Sequence, residues 1–383
     1  MSSQRLQKLT PFLVMDVLER AQELSRSGVD IVHLEVGEPD FDAPPCVREA
    51  MMRALNEGAT HYTHSLGDLR LREAICSWYD RTYGVGITPD RVLVTSGTSP
   101  GMLLAFSVLV SRGSEVIMAD PHYACYPNFV RYLDGVPVSV PVRESEGFDL
   151  SIEAVKNAMT DRTSAIIVNS PSNPTGTLLS AATMCDIGAL DVPVVSDEIY
   201  HGLVYEGREH SMLEFTDDTF VLNGFSKLFA MTGFRLGYLI APPRYIRDLQ
   251  VLQQNFFISA NSLVQEAGIS VLEEAGDDIA RMRRVYDERR RYMIDRLRQM
   301  GFAITTEPTG AFYVFVDASR LSADSYALAF DILEKAHVGV TPGIDFGEGG
   351  EGFLRFSYAN SHENIAEGLD RLERYIGERL AQS

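Results

Sequence analysis

Lysine is almost missing from this chain. It occurs four times in 383 residues, at Lys8, Lys156, Lys227 and Lys335, so that of 34 basic residues thirty are arginines. No run of five basic residues exists, and the formal net charge is −19. A field of that sign repels nucleic acid, whose binding depends on clustered cations that neutralise phosphates. A small anion needs only local arginines and backbone amides, and stays admissible. Long apolar runs are missing too. Although 45% of the residues are hydrophobic, no stretch approaches the ~20 residues of a bilayer-spanning helix, which argues against a membrane protein. Residues 1–8 lack the charged-then-apolar layout of a secretory signal, and the cytoplasm is the expected location. Cys46, Cys76, Cys125 and Cys185 form no C-x-x-C pair, and no histidines cluster at metal-ligand spacing. They read as buried thiols of a reducing compartment, not as a disulfide or zinc framework.

What is present is alternation. Helices are expected over residues 12–27, 45–56 and 68–83, with a strand at 31–36 between the first two. From residue 91, short apolar runs at 91–95, 115–119, 165–168, 192–195, 220–222 and 237–240 alternate with helical patterns. This rhythm predicts an α/β fold: a mostly parallel central sheet sandwiched by helices. Ligands of such sheets bind outside the carboxyl ends of the strands. A long charged helix over 277–300 then leads to strands at 302–305, 311–316 and 353–358 and helices at 324–336 and 363–380. The expected organisation is a large domain over 46–285, a smaller α+β domain over 286–383, and an N-terminal segment, 1–45, packed on the latter.

The strand ends carry the chemistry. Lys227 lies between two apolar strands, and burial of an ammonium is costly unless its charge is removed or paired. A lysine with a lowered pKa suits imine chemistry with a carbonyl compound; a loop lysine reaching solvent is the plainer reading. Thr95-Ser96-Gly97-Thr98-Ser99-Pro100-Gly101 feeds an apolar helix, with Ser99 suited to the cap and Pro100 to the first turn. Free amides at Gly97, Thr98 and Ser99 could receive a phosphate, or the turn could be a capped helix and no more. Gly37, in Gly37-Glu38-Pro39-Asp40, could let a ligand approach the backbone closely, but by composition alone it reads as an ordinary turn. Tyr123 could stack on a flat ring or lie on the surface. Asn173 follows a buried strand within a Pro- and Gly-rich turn that leaves its purpose open. Asp197 ends another strand and needs a partner, either a protonated ring nitrogen or an arginine. Arg355, inside an apolar strand, suits a carboxylate bidentately or an internal ion pair.

Taken in order, Asn173-Pro174-Thr175-Gly176, Asp197-x-x-Tyr200, Ser226-Lys227, Arg235-x-Gly237-Tyr238 and Arg355-x-Ser357-Tyr358 resemble the pyridoxal-phosphate-dependent aminotransferases of class I/II, fold type I. The resemblance runs from about residue 30 to residue 360. It implies that Lys227 forms a Schiff base with pyridoxal 5′-phosphate and that Asp197 pairs with the ring nitrogen. Tyr200 and Asn173 would bond the ring's phenolic oxygen, and Tyr123 would stack on the ring. Gly97, Thr98, Ser99 and Arg235 would hold the phosphate. Tyr62 would reach the phosphate of a neighbouring subunit, making a homodimer with active sites at the subunit interface. Arg355, with Gly37 and Asn173 beside it, would bind the substrate carboxylate. The expected activity is ping-pong amino transfer between an L-amino acid and a 2-oxo acid.

Two departures from the family pattern matter. The position three before the lysine, often Ser or Thr, is Gly224, which shifts phosphate binding toward Ser99 and Arg235. No second cation appears at Ser99 or in residues 255–262, so a neutral or apolar amino donor is expected. A carbon–sulfur β-lyase on the same scaffold is the alternative, because both chemistries need Lys227, Asp197 and Arg355. A cofactor-binding regulator is disfavoured by the chain's acidity and its full catalytic set.

Overall fold

The computed structural model describes residues 5–382. The first four residues of the expected N-terminal segment, and Ser383, lie outside the described ones. Helix α1 (Leu13–Arg26) leads to strand β1 (Val32–His33), then to α2 (Pro45–Asn56) and α3 (Leu69–Tyr83). Next come β2 (Val92–Thr95), α4 (Thr98–Leu109), β3 (Glu115–Asp120), α5 (Tyr126–Tyr132), β4 (Val136–Pro141) and α6 (Ile152–Ala158). They are followed by β5 (Thr163–Asn169), α7 (Ala181–Gly188), β6 (Val194–Asp197), β7 (Thr219–Gly224) and β8 (Gly237–Ile240). Helices α8 (Pro243–Phe256), α9 (Ser262–Glu274) and α10 (Gly276–Gln299) lead to β9 (Tyr313–Asp317) and α11 (Ser325–Ala336). Strands β10 (Val338–Gly339), β11 (Thr341–Pro342) and β12 (Phe353–Ser357) precede the last helix, α12 (His362–Gln382).

The large sheet has seven strands in the order β2-β8-β7-β6-β5-β3-β4. Only β8 runs antiparallel to its neighbours β2 and β7; the other pairings are parallel. Its central strands are apolar on both faces because helices cover both, as a parallel sheet requires. Period-2 alternation sorts them: Val195, Phe220 and Leu222 pack with Met102 and Phe106 of α4, whereas Val194 packs with Met184 and Ile187 of α7. A second sheet, β11-β12-β9, is antiparallel, and β1 pairs in parallel with β10. Helix α1 packs beside α11, where Val17 and Ala21 meet Leu333. Local chemistry sets the helix ends. Asp68, Asn261 and Asp324 cap α3, α9 and α11 through their side chains, and Gly84 closes α3 in the left-handed region.

Several expectations need correction. Residues 302–305 form no strand, although Phe302 and Ile304 are buried. Their backbone groups are taken by α10 instead of a strand: the Phe302 amide donates to the Leu297 carbonyl at 3.1 Å, and the Ile304 carbonyl accepts from the Arg298 guanidinium at 2.9 Å. The strand expected at 31–36 pairs only at Val32–His33. Strand β4 gave no sequence signal, because it is a largely exposed sheet edge carrying Pro137 and Pro141, which only an edge tolerates. The cysteines are not all buried: Cys46, Cys76 and Cys125 are half-buried and Cys185 is exposed. None is disulfide-bonded, and among the described residues no group could hold a metal ion and no helix is long and apolar enough to cross a membrane.

One packing constraint governs the carboxyl ends of β2, β7 and β8. A Cβ on Gly237 would lie 2.8 Å from the carbonyl carbon of Gly97 and 2.9 Å from the Thr98 nitrogen, and one on Gly224 would lie 2.9 Å from the Gly237 Cα. Backbone atoms cannot yield as a side-chain tip can. Gly237→Ala should therefore destabilise the protein by about 1–3 kcal/mol, the usual cost of overpacking. Denaturant unfolding would read this, and an unchanged midpoint would show that the strands separate freely.

Candidate active site

The polar strand ends converge on one cavity of about 300 Å³. Strand β7 delivers the segment carrying Ser226 and Lys227, β6 delivers Asp197, β5 delivers Asn169, and the turn after β2 delivers Thr98 and Ser99. From the second sheet, β12 contributes Arg355 and β9 contributes Tyr313. Helix α1 closes the remaining side with Phe12, Val14, Met15 and Leu18.

Lys227 donates to the Gly37 carbonyl at 2.6 Å and sits 5.9 and 5.7 Å from the ring centroids of Tyr200 and Phe312. Desolvation lowers its pKa to about 8; Glu38 and Asp197 pull upward while Arg355 and Arg235 push further down. The amine is therefore much closer to neutrality than a solvated lysine. Asp197 is buried at the end of β6, and desolvation raises its pKa to about 6. One of its oxygens accepts from the Tyr126 hydroxyl at 2.8 Å and the other from the Ile199 amide at 3.3 Å. Asn169 donates to the Asp197 carbonyl at 2.8 Å and accepts from the Asn173 amide at 2.8 Å, so two strand ends share one turn.

The Arg355 guanidinium is buried beneath two rings, 4.3 Å from the centroid of Tyr313 and 4.9 Å from that of Phe346. It donates to Asn173 Oδ1 at 2.8 Å, to the Glu35 carbonyl at 2.7 Å and to Thr341 Oγ1 at 3.1 Å. Its Nε is buried with no partner. Among the described residues no carboxylate pairs with it, and this sets aside the internal ion pair. Tyr200 and Tyr313 hydroxyls meet at 2.8 Å, and desolvation raises both phenol pKa values.

Thus Gly37, Thr98, Ser99, Tyr123, Asn173, Asp197, Tyr200, Lys227, Arg235 and Arg355 share the cavity wall. Gly97 stands at its edge: a Cβ there would lie 2.5 Å from the Arg235 guanidinium. Arg235 takes a left-handed backbone, φ 57°, that turns it back toward this glycine. Tyr62 is not brought in. It is 81% exposed on the loop after α2. The turn at 97–101 also differs from expectation: α4 starts at Thr98 with Gly97 in the cap position, so Ser99 and Pro100 lie inside its first turn. Gly97 at φ 97° permits the earlier start, because a side chain is strained in that conformation.

Sequence reasoning missed Tyr126, Tyr313 and the apolar wall of α1. Tyr126, three residues after Tyr123, was findable as a second aromatic on the same rim. Tyr313 was hidden in an apolar strand, and nothing local marks the first turn of α1 as part of a site whose polar residues run from Gly37 to Arg355.

A family model described as aminotransferase class I and II matches residues 29–372. The (5-formylfuran-3-yl)methyl phosphate transaminase of Methanocaldococcus jannaschii is 41% identical, with 98% of this chain and all of that protein covered. The aspartate/prephenate aminotransferase of Thermus thermophilus is 38% identical over 98% of each chain. Among solved structures, the Thermus thermophilus aspartate aminotransferase with maleate superposes with a TM-score of 0.94 at 37% identity, covering 98% of this chain and 99% of that one.

The depressed lysine has a direct test. Labelling with an amine-selective reagent should show Lys227 gaining reactivity as pH rises through about 8. A midpoint at the ordinary value of 10.5 would mean that its ammonium is solvated.

Proposed function

Because this chain belongs to the class I and II aminotransferases, whose members are generally pyridoxal-phosphate-dependent, we propose that it transfers an amino group from a neutral or apolar L-amino acid to a 2-oxo acid in two half-reactions. The carbon–sulfur lyase alternative finds no support among these relatives. The observation that carries the reading is the pairing of an amine near neutrality, Lys227, with an arginine whose buried Nε lacks a partner, Arg355, in one cavity.

The residues present fit pyridoxal 5′-phosphate. A buried carboxylate suits a cationic ring nitrogen, and the amides at Thr98 and Ser99 with the Arg235 guanidinium suit a phosphate. Gly97 is bare where a side chain would collide with that guanidinium. Position 224 cannot supply a phosphate-binding hydroxyl, because its Cβ would strike the backbone of β8. When bound, the cofactor supplies a ring that accepts electrons from the substrate's α-carbon. Lys227 would anchor it covalently and, once displaced by the substrate's amine, take and return the proton at the reacting carbon. Asp197 would hold the ring nitrogen protonated, with Tyr126 keeping the carboxylate in line. Tyr123 would cover one face of the ring, while Tyr200 and Asn173 would bond the phenolic oxygen. Arg355 and Gly37 would fix the substrate's carboxylate end.

Donor preference follows from the rest of the wall. Among the described residues lining the cavity, the only basic side chains are Lys227, Arg235 and Arg355, and each already has a role. Beyond them lie Phe12, Met15, Leu18, Met102 and Phe129, which favour an apolar side chain over a second carboxylate. Residues 46–285 would carry the cofactor as the large domain, and residues 286–383 with 1–45 the substrate's carboxylate and side chain.

A homodimer belongs to the same reading. The Tyr62 loop is pinned to α8 and α9: Ser262 donates to the Ala59 carbonyl at 2.6 Å, Gln265 to Thr63 at 2.9 Å and Gln250 to Ser65 at 2.9 Å. Tyr62 and Phe256, 67% exposed, stand out from these linked elements as a second copy would require. Free cysteines suit a cytoplasmic setting.

Lys227→Ala should lose nearly all turnover together with the visible absorbance of the lysine-linked cofactor; wild-type activity in that variant would remove the assigned amine. In a donor screen, phenylalanine, methionine or alanine should exceed aspartate in kcat/KM, and a preference for aspartate would overturn the donor class. Light scattering should give a dimer mass, and a fully active monomer would exclude the role given to Tyr62.

A further inference from the structure

Helix α1 starts at Leu13, and Phe12 in its cap position offers no side-chain oxygen to the free amides. The cap comes from far along the chain. Asp345 Oδ1 accepts from the Leu13 amide at 2.7 Å, and its Oδ2 accepts from the Val14 amide at 3.2 Å. Asp345 is buried in a short 3-10 turn, Gly343–Phe346, that is itself held on two sides. The Ile344 amide donates to Ser325 at 3.1 Å, and the Phe346 carbonyl accepts from the His122 amide at 2.9 Å. A carboxylate so fixed faces the positive end of the helix dipole and satisfies two of its unpaired donors. The turn of α1 that it seizes is the one that lines the cavity, and the Phe12 ring meets Tyr123 edge-on at 6.0 Å.

We infer that Asp345 is a positioning residue for donor selection: its carboxylate clips the amino end of α1 where Phe12, Met15 and Leu18 meet the substrate's side chain. The inference rests on the apolar-donor reading above and deepens it. Asp345 reaches none of the reacting atoms and acts through the helix alone. Without it, the first turn of α1 loses its cap and frays away from the cavity, and a large apolar side chain loses the surface that covers it. Alanine, too short to reach that surface, is indifferent to the change.

The test compares holoenzyme variants on phenylalanine and alanine with one acceptor. Asp345→Ala should lower kcat/KM for phenylalanine about tenfold, in line with the loss of a helix cap, with the change carried by KM. Alanine kinetics should stay within about twofold and the cofactor absorbance should be unaltered. Asp345→Asn, which keeps one acceptor oxygen, should fall between, and it carries the test should the alanine variant fail to fold. In a cycle with Phe12→Ala, the Asp345 substitution should lose most of its effect on phenylalanine, because both act through one surface. Additive effects, or equal losses on both donors, would overturn the inference. A wild type that prefers aspartate would instead defeat the donor class, and the same cycle on the preferred donor would still decide whether Asp345 acts through Phe12.

Discussion

The site depends on keeping one amine poorly solvated without losing it to its own ion pairs. Lys227 stands among two guanidiniums and two carboxylates, and the four opposed charges leave desolvation as the leading influence. Were Glu38 or Asp197 in direct contact with the ammonium, it would stay charged and inert toward a carbonyl. Instead its hydrogen bond goes to a neutral backbone carbonyl, that of Gly37, while Asp197 is turned away onto Tyr126 and the Ile199 amide. Glu38 accepts from the Thr232 hydroxyl. Each acid is thus engaged elsewhere, and the amine can give up its proton near neutral pH.

Bringing the amino end of α4 within reach of that amine is a matter of backbone distance. The amino end of α4 and the chain leading to Lys227 belong to β2 and β7, which are not neighbours; β8 lies between them. Gly97, Gly237 and Gly224 form a line of bare backbones across these three strands, each close enough to the next to exclude a methyl group. The same closeness forbids a hydroxyl at position 224, and on the proposed reading the phosphate's remaining contacts would fall to Ser99 and Arg235. The strained backbone of Arg235 stands beside this line: it takes a left-handed turn, and its guanidinium lies against Gly97.

Much of this was legible in the sequence, for a physical reason. Buried parallel strands are continuous apolar runs, so a polar residue at the end of one is conspicuous; Asp197, Asn173, Lys227 and the 97–99 turn all stood out in that way. The rest depended on information that is not local. Strand β4 is half solvated and proline-marked, and only its pairing with β3 makes it a strand. Residues 302–305 have the alternation of a strand but lack a partner. Tyr313 and Tyr126 are aromatic among aromatics, and their hydroxyls gain meaning only from what lies opposite, Tyr200 and Asp197. Tyr62 is exposed and stands outside the cavity lining, so the resemblance alone, and no contact within its own chain, assigned it a neighbour.

The two ends of the proposed substrate site are coupled through two consecutive residues. Asp345 holds α1, which faces the side chain, and Phe346 lies against the guanidinium of Arg355, which faces the carboxylate. The turn that carries both is tied by its backbone to His122, next to Tyr123 in sequence. The turn thus touches three walls of the cavity at once, α1 through Asp345, Arg355 through Phe346 and Tyr123 through its neighbour His122. Asp345 and Phe346 divide that work, so on the reading above removal of the Asp345 carboxylate would release α1 while the Phe346 ring still covers Arg355.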